Sequence, residues 1–207
     1  MNAVLHPEEL PAAQRERRDR IVRAALDLLA DGEYESIQMR QVAEHADVAL
    51  ATLYRYFGSK EHLYAAVLVE WSAGYWPDAP ADAGHHADVE RLRTLLRRAV
   101  RSFERWPQMF RTQMVLEHSS DPQAQAMYER FARHHGHALA AALSNLDPLQ
   151  AADIVTTLSA VLSDSLRSWA RGRCTIAEVD RRLQRTVDLV FGPPPTWSAD
   201  EMCDRDA

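Results

Sequence analysis

The chain has 207 residues, with 24 Lys+Arg against 30 Asp+Glu and a formal net charge of −6. That length supports one or two domains with a sizeable core, and the acidic balance argues against a protein that coats nucleic acid non-specifically while leaving room for a small DNA-reading surface. No run of about 18 apolar residues offers a membrane span, the opening "MNAVLHPEELPAAQRERR" lacks the apolar core of a secretory signal, and Cys174 and Cys203, which form no C-x-x-C, predict a reducing, cytoplasmic setting.

Glycine is scarce, Ala and Leu are abundant and no alternating Val/Ile/Thr run marks a strand, so the expected fold is all-α. Residues 1–13, with Pro7 and Pro11, read as a flexible arm. From Gln14 onward Ile21, Ala24, Ala25, Leu28 and Leu29 share one side of a helix, which Asp31-Gly32 ends. Ser36 is expected to cap a short helix with Met39, Val42 and Ala43 inward. Residues 46–48 make a turn, and a second short helix covers about 49–56. Gly58 breaks it, and Ser59 caps a longer helix over about 59–74 that turns Leu63, Val67 and Trp71 to one side. Residues 78–86, "DAPADAGHH", read as a loop. Further helices are expected over 87–105, 107–118, 122–146, 148–171 and 175–191. Three of them open on a proline, which suits the first helical position because its missing N–H is not needed there. Pro193-Pro194-Pro195 closes the last helix, and residues 193–207 are polar enough for a disordered tail.

Two short helices joined by a three- or four-residue turn make a helix-turn-helix. On a wheel of the second helix, Leu53 and Phe57 face inward. Ala51, Tyr54 and Arg55 point away, with Thr52 and Tyr56 on the flanks. Small residues permit close approach, hydroxyls meet phosphate oxygens and a guanidinium reaches base edges, so this face suits the major groove. Lys60 and the N–H groups at the next helix start suit a phosphate. Bulk charge adds nothing, since residues 14–60 hold eight Lys/Arg and eight Asp/Glu. The alternative is that the tyrosines pack on the first helix and Arg55 is merely solvated.

Beyond this segment there is no catalytic signature: no G-x-S-x-G, no phosphate-cradling glycine loop and no H-E-x-x-H. No catalytic residue, cofactor or enzymatic activity is expected. His134 and His137 lie one turn apart, but no Cys or carboxylate at zinc-like spacing joins them, so no metal site is expected. Phe103, Trp106, Met109, Phe110, Met114, Met127, Tyr128 and Phe131 are bulky and soft, the material of an ordinary core or of an apolar ligand cavity. Apolar stripes run along the last two helices, through Ile154, Leu158, Leu162, Leu166 and Trp169 and through Val179, Leu183, Val187 and Val190. Such stripes can bury one face within the monomer and another against a partner. Arg91, Arg93, Arg97, Arg98 and Arg101 make a basic face on the fifth helix.

The segment "IQMRQVAEHADVALATLYRYFGSKEHLYAAVL" resembles the DNA-binding region of TetR-family transcriptional regulators, a likeness that extends over about residues 18–68. The resemblance implies an N-terminal three-helix DNA-binding domain over 14–60. A C-terminal helical ligand-binding and dimerisation domain over 61–192 would follow, about nine helices in all. It implies base reading by Arg40, a leading recognition-helix face at Leu50 and Ala51, and phosphate or groove contacts from Thr52, Tyr54, Tyr56 and Lys60. Leu50 departs from the polar residue of some members and suits either a thymine methyl or the core margin. Arg15, Arg17 and Arg18 lie where members often track the DNA backbone or minor groove; with Glu16 and Asp19 interleaved they also suit a solvated face.

The resemblance further implies a homodimer, formed through Leu158, Leu162, Leu166, Trp169, Leu183, Val187 and Val190. That dimer would repress by binding a palindromic double-stranded operator and would be released by a small apolar effector. "AQRERR" and "SWARGRCTIAEVDRRL" are similar to a subgroup, the actinobacterial repressors of cholesterol catabolism, which respond to steroid coenzyme A thioesters. The arginines of the fifth helix would then meet coenzyme A phosphates or remain solvated. Rival readings are an all-α enzyme or lipid carrier using the same cavity without DNA, and a helical adaptor acting through its last two helices.

Overall fold

The computed structural model describes residues 10–73 and 85–192. Its helices are α1 (Ala12–Asp31), α2 (Met39–His45), α3 (Leu50–Tyr56), α4 (Lys60–Ala73), α5 (His85–Arg105), α6 (Pro107–Glu117), α7 (Pro122–Ala141), α8 (Pro148–Ala170) and α9 (Ile176–Phe191), with a 3-10 turn at Tyr34–Ser36. Among the described residues there is no strand, as the composition implied. The tail over 193–207 and most of the expected arm and loop lie outside the described residues.

Helix boundaries follow from local capping, and several differ from the sequence expectation for a visible reason. Leu10 is buried and α1 starts at Ala12, so the chain is anchored before residue 13. Ser36 does not cap α2. Its hydroxyl donates to the Glu33 carbonyl at 2.8 Å within the 3-10 turn, and Gln38 takes the capping role, its N–H donating to Gln41 Oε1 at 2.8 Å. His85 and His86 belong to the first turn of α5 rather than to a loop. α7 stops at Ala141, short of residue 146. The N–H groups of Ala142, Leu143 and Leu146 tighten to the carbonyls three residues back, at 3.2, 2.9 and 3.0 Å. That turn carries Asn145 to the buried Asp88, where its amide donates at 2.7 Å.

Two left-handed residues set chain direction. After α2, Asp47 has φ 51. Its N–H reaches Glu44 O at 3.2 Å and that of Val48 reaches Ala43 O at 3.0 Å. This is the closure that usually recruits glycine, and a short polar side chain tolerates it. After α8, Gly172 at φ 69 does the same, Gly172 and Arg173 donating to Trp169 O and Ser168 O at 2.8 and 2.9 Å. α8 and α9 open on side-chain caps, Asp147 accepting from Leu149 and Gln150, and Thr175 paired with Glu178 in a capping box.

The core runs through both ends of the molecule without a break. Ile21, Ala25, Leu29, Val42, Leu53 and Phe57 close the N-terminal three-helix unit. In α4 the consecutive residues Leu63, Tyr64, Ala65, Ala66, Val67 and Leu68 are all buried. A helix apolar on every side must be covered on every side, and α1, α6 and α7 cover this one.

At the other end, Arg93 of α5 is buried yet ion-paired. It meets Asp188 Oδ1 at 2.6 Å, Glu90 at 3.2 Å and Gln184 Oε1 at 3.1 Å, tying α5 to α9. Arg91 pairs with Asp88 at 3.3 Å. Two of the five arginines read as a basic face, free to meet phosphates or stay solvated, are therefore committed inside the fold.

The stripe expected at a dimer surface also needs correction. Leu158, Leu162, Leu166, Leu183 and Val187 are buried within the monomer, and Trp169 is half-buried. α9 packs on α5 and α8, so the period of the stripe marks an internal seam. The apolar side chains that these helices leave exposed are Leu149, Leu189 at 87 % and Val190.

Candidate nucleic-acid interface and effector cavity

α3 is anchored by Leu53 and by Phe57 just past its end, both buried. Ala51, Tyr54 and Arg55 are exposed, and Thr52 and Tyr56 are half-buried on its flanks. Leu50 stands 38 % exposed at the leading edge, which places it on the reading face and not in the core. On α2 the Arg40 side chain is 76 % exposed and held by Glu44 at 2.9 Å, one turn on. Arg40, Leu50, Ala51, Tyr54 and Arg55 thus present one guanidinium from each helix, a phenol and two small or apolar contacts to the outside. The Tyr56 hydroxyl is buried with no hydrogen-bond partner. The Arg55 guanidinium carbon lies 6.0 Å from the Tyr56 ring.

Two cations expected at DNA do other work. The Arg18 side chain is only 16 % exposed, with its guanidinium carbon 5.3 Å above the Phe57 ring. Burial lowers its pKa, against the pull of Asp19 and Glu70. Its position explains this: Arg18 lies three and four residues before the buried Ile21 and Val22, on the inward side of α1. Arg15 is exposed and Arg17 half-buried. Lys60 turns back, its Nζ donating to the Tyr34 carbonyl and lying 4.2 Å from the Tyr34 ring centroid. Burial lowers the Lys60 pKa, with Glu35 and Glu61 opposing. The ammonium braces the start of α4 against the 3-10 turn instead of standing open to a phosphate.

The reading unit is keyed to the rest of the chain through Ser59. Its hydroxyl accepts from the His62 N–H at 2.9 Å, capping α4 as expected, and donates to Asp121 Oδ2. The other oxygen of Asp121 caps α7, accepting from Gln123 N at 2.8 Å and Ala124 N at 3.4 Å. Burial raises the Asp121 pKa, but the hydrogen bonds from Ser59, Gln123 and Ala124 outweigh it and hold the carboxyl below its usual value. His62 is buried with its ring 5.2 Å from Phe57. Burial depresses the imidazole, Asp121 opposing and Arg18 adding, which keeps the ring neutral at pH 7. Arg111 of α6 and Glu33 form a second bridge at 3.0 Å.

A cavity of about 120 Å³ opens among α5, α6, α7 and α8. Phe103, Phe110, Tyr128 and Phe131, half of the residues expected there, line it. Met109 is buried elsewhere in the core, and Trp106, Met114 and Met127 are half-buried outside the lining. The three methionines adjoin lining residues in sequence, and one step along a helix turns a side chain about 100° away; Trp106 caps the start of α6. Leu162 and Leu166, expected at a dimer surface, face this cavity instead.

Gln113, His135, Ser159 and Ser163 also line the cavity; sequence reasoning missed Gln113 and the serines and did not single out His135. The signal was spacing. His135 stands four residues after Phe131 and seven after Tyr128, Gln113 three after Phe110, and the two serines interleave with Leu162 and Leu166. The ring of His135 lies 4.8 Å from that of Phe131. Burial, with His134 adding, pushes its imidazole down to about 3. Burial raises the Tyr128 phenol and a hydrogen bond with Gln113 draws it partly back. Phe103 packs at 5.6 Å on Phe110 and at 5.2 Å on Trp71 of α4, so the cavity wall touches the helix that follows the reading unit.

An open recognition helix, braced through one shared helix onto a helical body with its own cavity, is the architecture of a one-component transcriptional regulator. Residues 21–67 match the bacterial regulatory proteins of the tetR family, and residues 86–190 match the tetracyclin repressor-like C-terminal domain. The chain belongs to the TetR family, whose members are transcriptional regulators and not enzymes.

The chain is 32 % identical over 192 residues to the HTH-type transcriptional repressor KstR of Rhodococcus jostii, spanning 92 % of this chain and 90 % of that one. It is 33 % identical over 195 residues to KstR of Mycobacterium tuberculosis, spanning 92 % and 88 %. Among solved structures, a TetR transcriptional regulator from Rhodococcus sp. RHA1 superposes with a TM-score of 0.71 at 27 % identity, covering 86 % of this chain and 96 % of that one. The Thermus thermophilus FadR repressor, solved with lauroyl-CoA, superposes with a TM-score of 0.64 at 20 % identity, covering 88 % and 97 %, a likeness of fold. Among the described residues no helix is long and apolar enough to cross a membrane.

Proposed function

We propose that this chain is a cytoplasmic repressor that binds a palindromic operator as a homodimer and lets go when a small apolar molecule fills its cavity. The observation that carries the reading is α3 itself: Leu53 and Phe57 hold it down while Tyr54 and Arg55 stand exposed beside Leu50 and Ala51. A groove-reading helix needs such a face and a carrier protein has no use for it. The relatives named as repressors support the sign of regulation. Leu149, Leu189 and Val190, left exposed on α8 and α9, support a partner surface there. A twofold dimer would set two recognition helices about 34 Å apart, or a multiple, to match operator half-sites.

Release would run through α4. One end of this helix follows Ser59, which is bonded to Asp121. Near its other end Trp71 packs, tilted, against the cavity residue Phe103. An effector that displaces Phe103 re-aims α4, and with it α3. It shifts the balance only if it binds the two conformations unequally, and a coupling of about 1–3 kcal/mol changes operator affinity roughly 5–150-fold.

A gel shift of the full chain on DNA upstream of its own gene, repeated across a salt series, tests the reading. Binding should weaken steeply with salt as phosphate contacts release counterions. A chain that binds small molecules but shifts no DNA at any salt would be the carrier of the rival reading.

A further inference from the structure

Two side-chain bonds tie the reading unit to the helices that carry the cavity. Glu33, just past α1, meets Arg111 of α6 at 3.0 Å, but both side chains are half or more exposed, and an ion pair so placed contributes little. Ser59, at the corner between α3 and α4, donates to Asp121 Oδ2 at the start of α7. Both of these residues are half-buried.

The atoms of this second bond are all assigned. Ser59 Oγ accepts the His62 N–H at 2.9 Å, so its own proton points away from α4. Asp121 Oδ1 accepts from Gln123 N at 2.8 Å and Ala124 N at 3.4 Å, which leaves Oδ2 for that proton. Asp121 N donates to Ser119 Oγ at 3.2 Å and holds the turn in place. Burial raises the carboxyl pKa, but its hydrogen bonds outweigh that and keep it ionised at pH 7. The bond from Ser59 is therefore charge-assisted.

One hydrogen bond thus joins the N-terminal caps of two helices. Phe57, which anchors α3, lies two residues before Ser59. Tyr128, which lines the cavity, lies seven residues after Asp121 along α7, two turns and about 10 Å up the axis. A hydrogen bond is lost within about an ångström of added separation, so the joint is either made or broken.

We infer that Asp121 is a positioning residue for operator reading: paired with Ser59 it fixes the α3–α4 corner to the start of α7, and parting of this pair is how movement of α7 frees the reading unit. The inference rests on the repressor reading above. It gives the cavity a second route to α3, through α7, beside the one through Trp71 and α4. A reading unit freed from α7 samples orientations that two half-sites cannot both accept, and affinity falls with the fraction still in register.

Gel shifts of the full chain on DNA upstream of its own gene test this. Ser59→Asp keeps a capping residue on α4 but sets two carboxylates face to face. It should weaken DNA binding roughly 10–100-fold, the scale of one charge-assisted hydrogen bond. Adding Asp121→Asn should restore affinity to within about 3-fold of the unaltered chain, because the amide donates to the new carboxylate while its oxygen still caps α7. A loss caused only by negative charge near DNA phosphates would persist in that double variant. Arg111→Ala should weaken binding by less than about 5-fold. Circular dichroism confirms that each variant is folded. If Ser59→Asp is not, Asp121→Ser takes its place, with one oxygen for two roles, and should show the same loss while remaining fully helical. Binding by Ser59→Asp equal to that of the unaltered chain, a double variant no tighter than Ser59→Asp, or an equal loss in Arg111→Ala would each overturn this inference alone. An unaltered chain that shifts no DNA at any salt overturns the repressor reading and this inference with it.

Discussion

α3 is seven residues long, and within it only Leu53 is fully buried; the cavity takes its wall from four helices between Phe103 and Leu166. The reading face spends its side chains outward, so most of its residues carry little of the fold. The cavity spends them inward, so its three phenylalanines and two leucines are also core. One region is tolerant in stability and exacting in function, and the other is exacting in both. The difference follows from where each side chain finds its contacts: with solvent and a future partner in one case, with three other helices in the other.

Phe110→Ala tests the cavity side of this contrast most severely. The residue is buried against Phe103, and its truncation should cost about 3–5 kcal/mol in urea unfolding. A loss near zero would mean that the wall is not core and that the contrast is false. Next comes Arg55→Ala, expected to weaken operator binding by about 1–3 kcal/mol while the unfolding midpoint barely moves. An equal loss of stability would place Arg55 in the fold and not on its surface. Lys60→Ala should break the pattern in the opposite sense. Because its ammonium holds the Tyr34 carbonyl, both stability and DNA binding should fall, by about 1–3 kcal/mol in unfolding.

The histidines give a pH test. His62 and His135 both have pKa values lowered chiefly by burial, below the ordinary 6.5. Below that pH the unfolded chain takes up protons that the folded chain refuses. Stability is therefore flat above about pH 6.5 and falls as pH drops from there toward the folded values, by at most about 1.4 kcal/mol per unit for each group. His135→Gln should flatten that slope in unfolding curves measured from pH 7.5 to 5. A slope unaltered by the substitution would mean that His135 is solvated. Smallest of all, Asp47→Gly should relieve the left-handed φ of 51 between α2 and α3. We expect a gain below about 1 kcal/mol by thermal melting, with operator affinity unchanged.

Much of the reading unit was legible from local pattern. The inward pair Leu53 and Phe57, the exposed trio Ala51, Tyr54 and Arg55, and the buried Met39, Val42 and Ala43 all follow from a wheel and stand where expected. Two of the errors there, Arg18 and Lys60, are cations on long stems whose heads found partners from other elements, Phe57 for one and Tyr34 for the other. The cavity was half legible. Aromatic content pointed to the right helices. Which of two adjacent residues faces the void depends on the azimuth of each helix in the packed bundle, as Met109 beside Phe110 shows.

The stripes on α8 and α9 were read at the correct period, but most of their residues are covered inside the monomer, Val190 excepted. An apolar face announces that it will be covered and does not say by what; here α9 lies against both α5 and α8.

Taken alone, the sequence determined the all-helical class, the order of the elements, the helix-turn-helix and the outward chemistry of α3. Each of these depends on residues within a turn or two of one another, and short-range backbone geometry decides them. Only the tertiary structure decided that Ser59 meets Asp121 across 62 positions of chain, that Phe103 touches Trp71, and that Gln113, His135 and the serines share one small void. Contacts between distant residues are chosen by how whole helices pack, and no window of neighbouring residues contains that information.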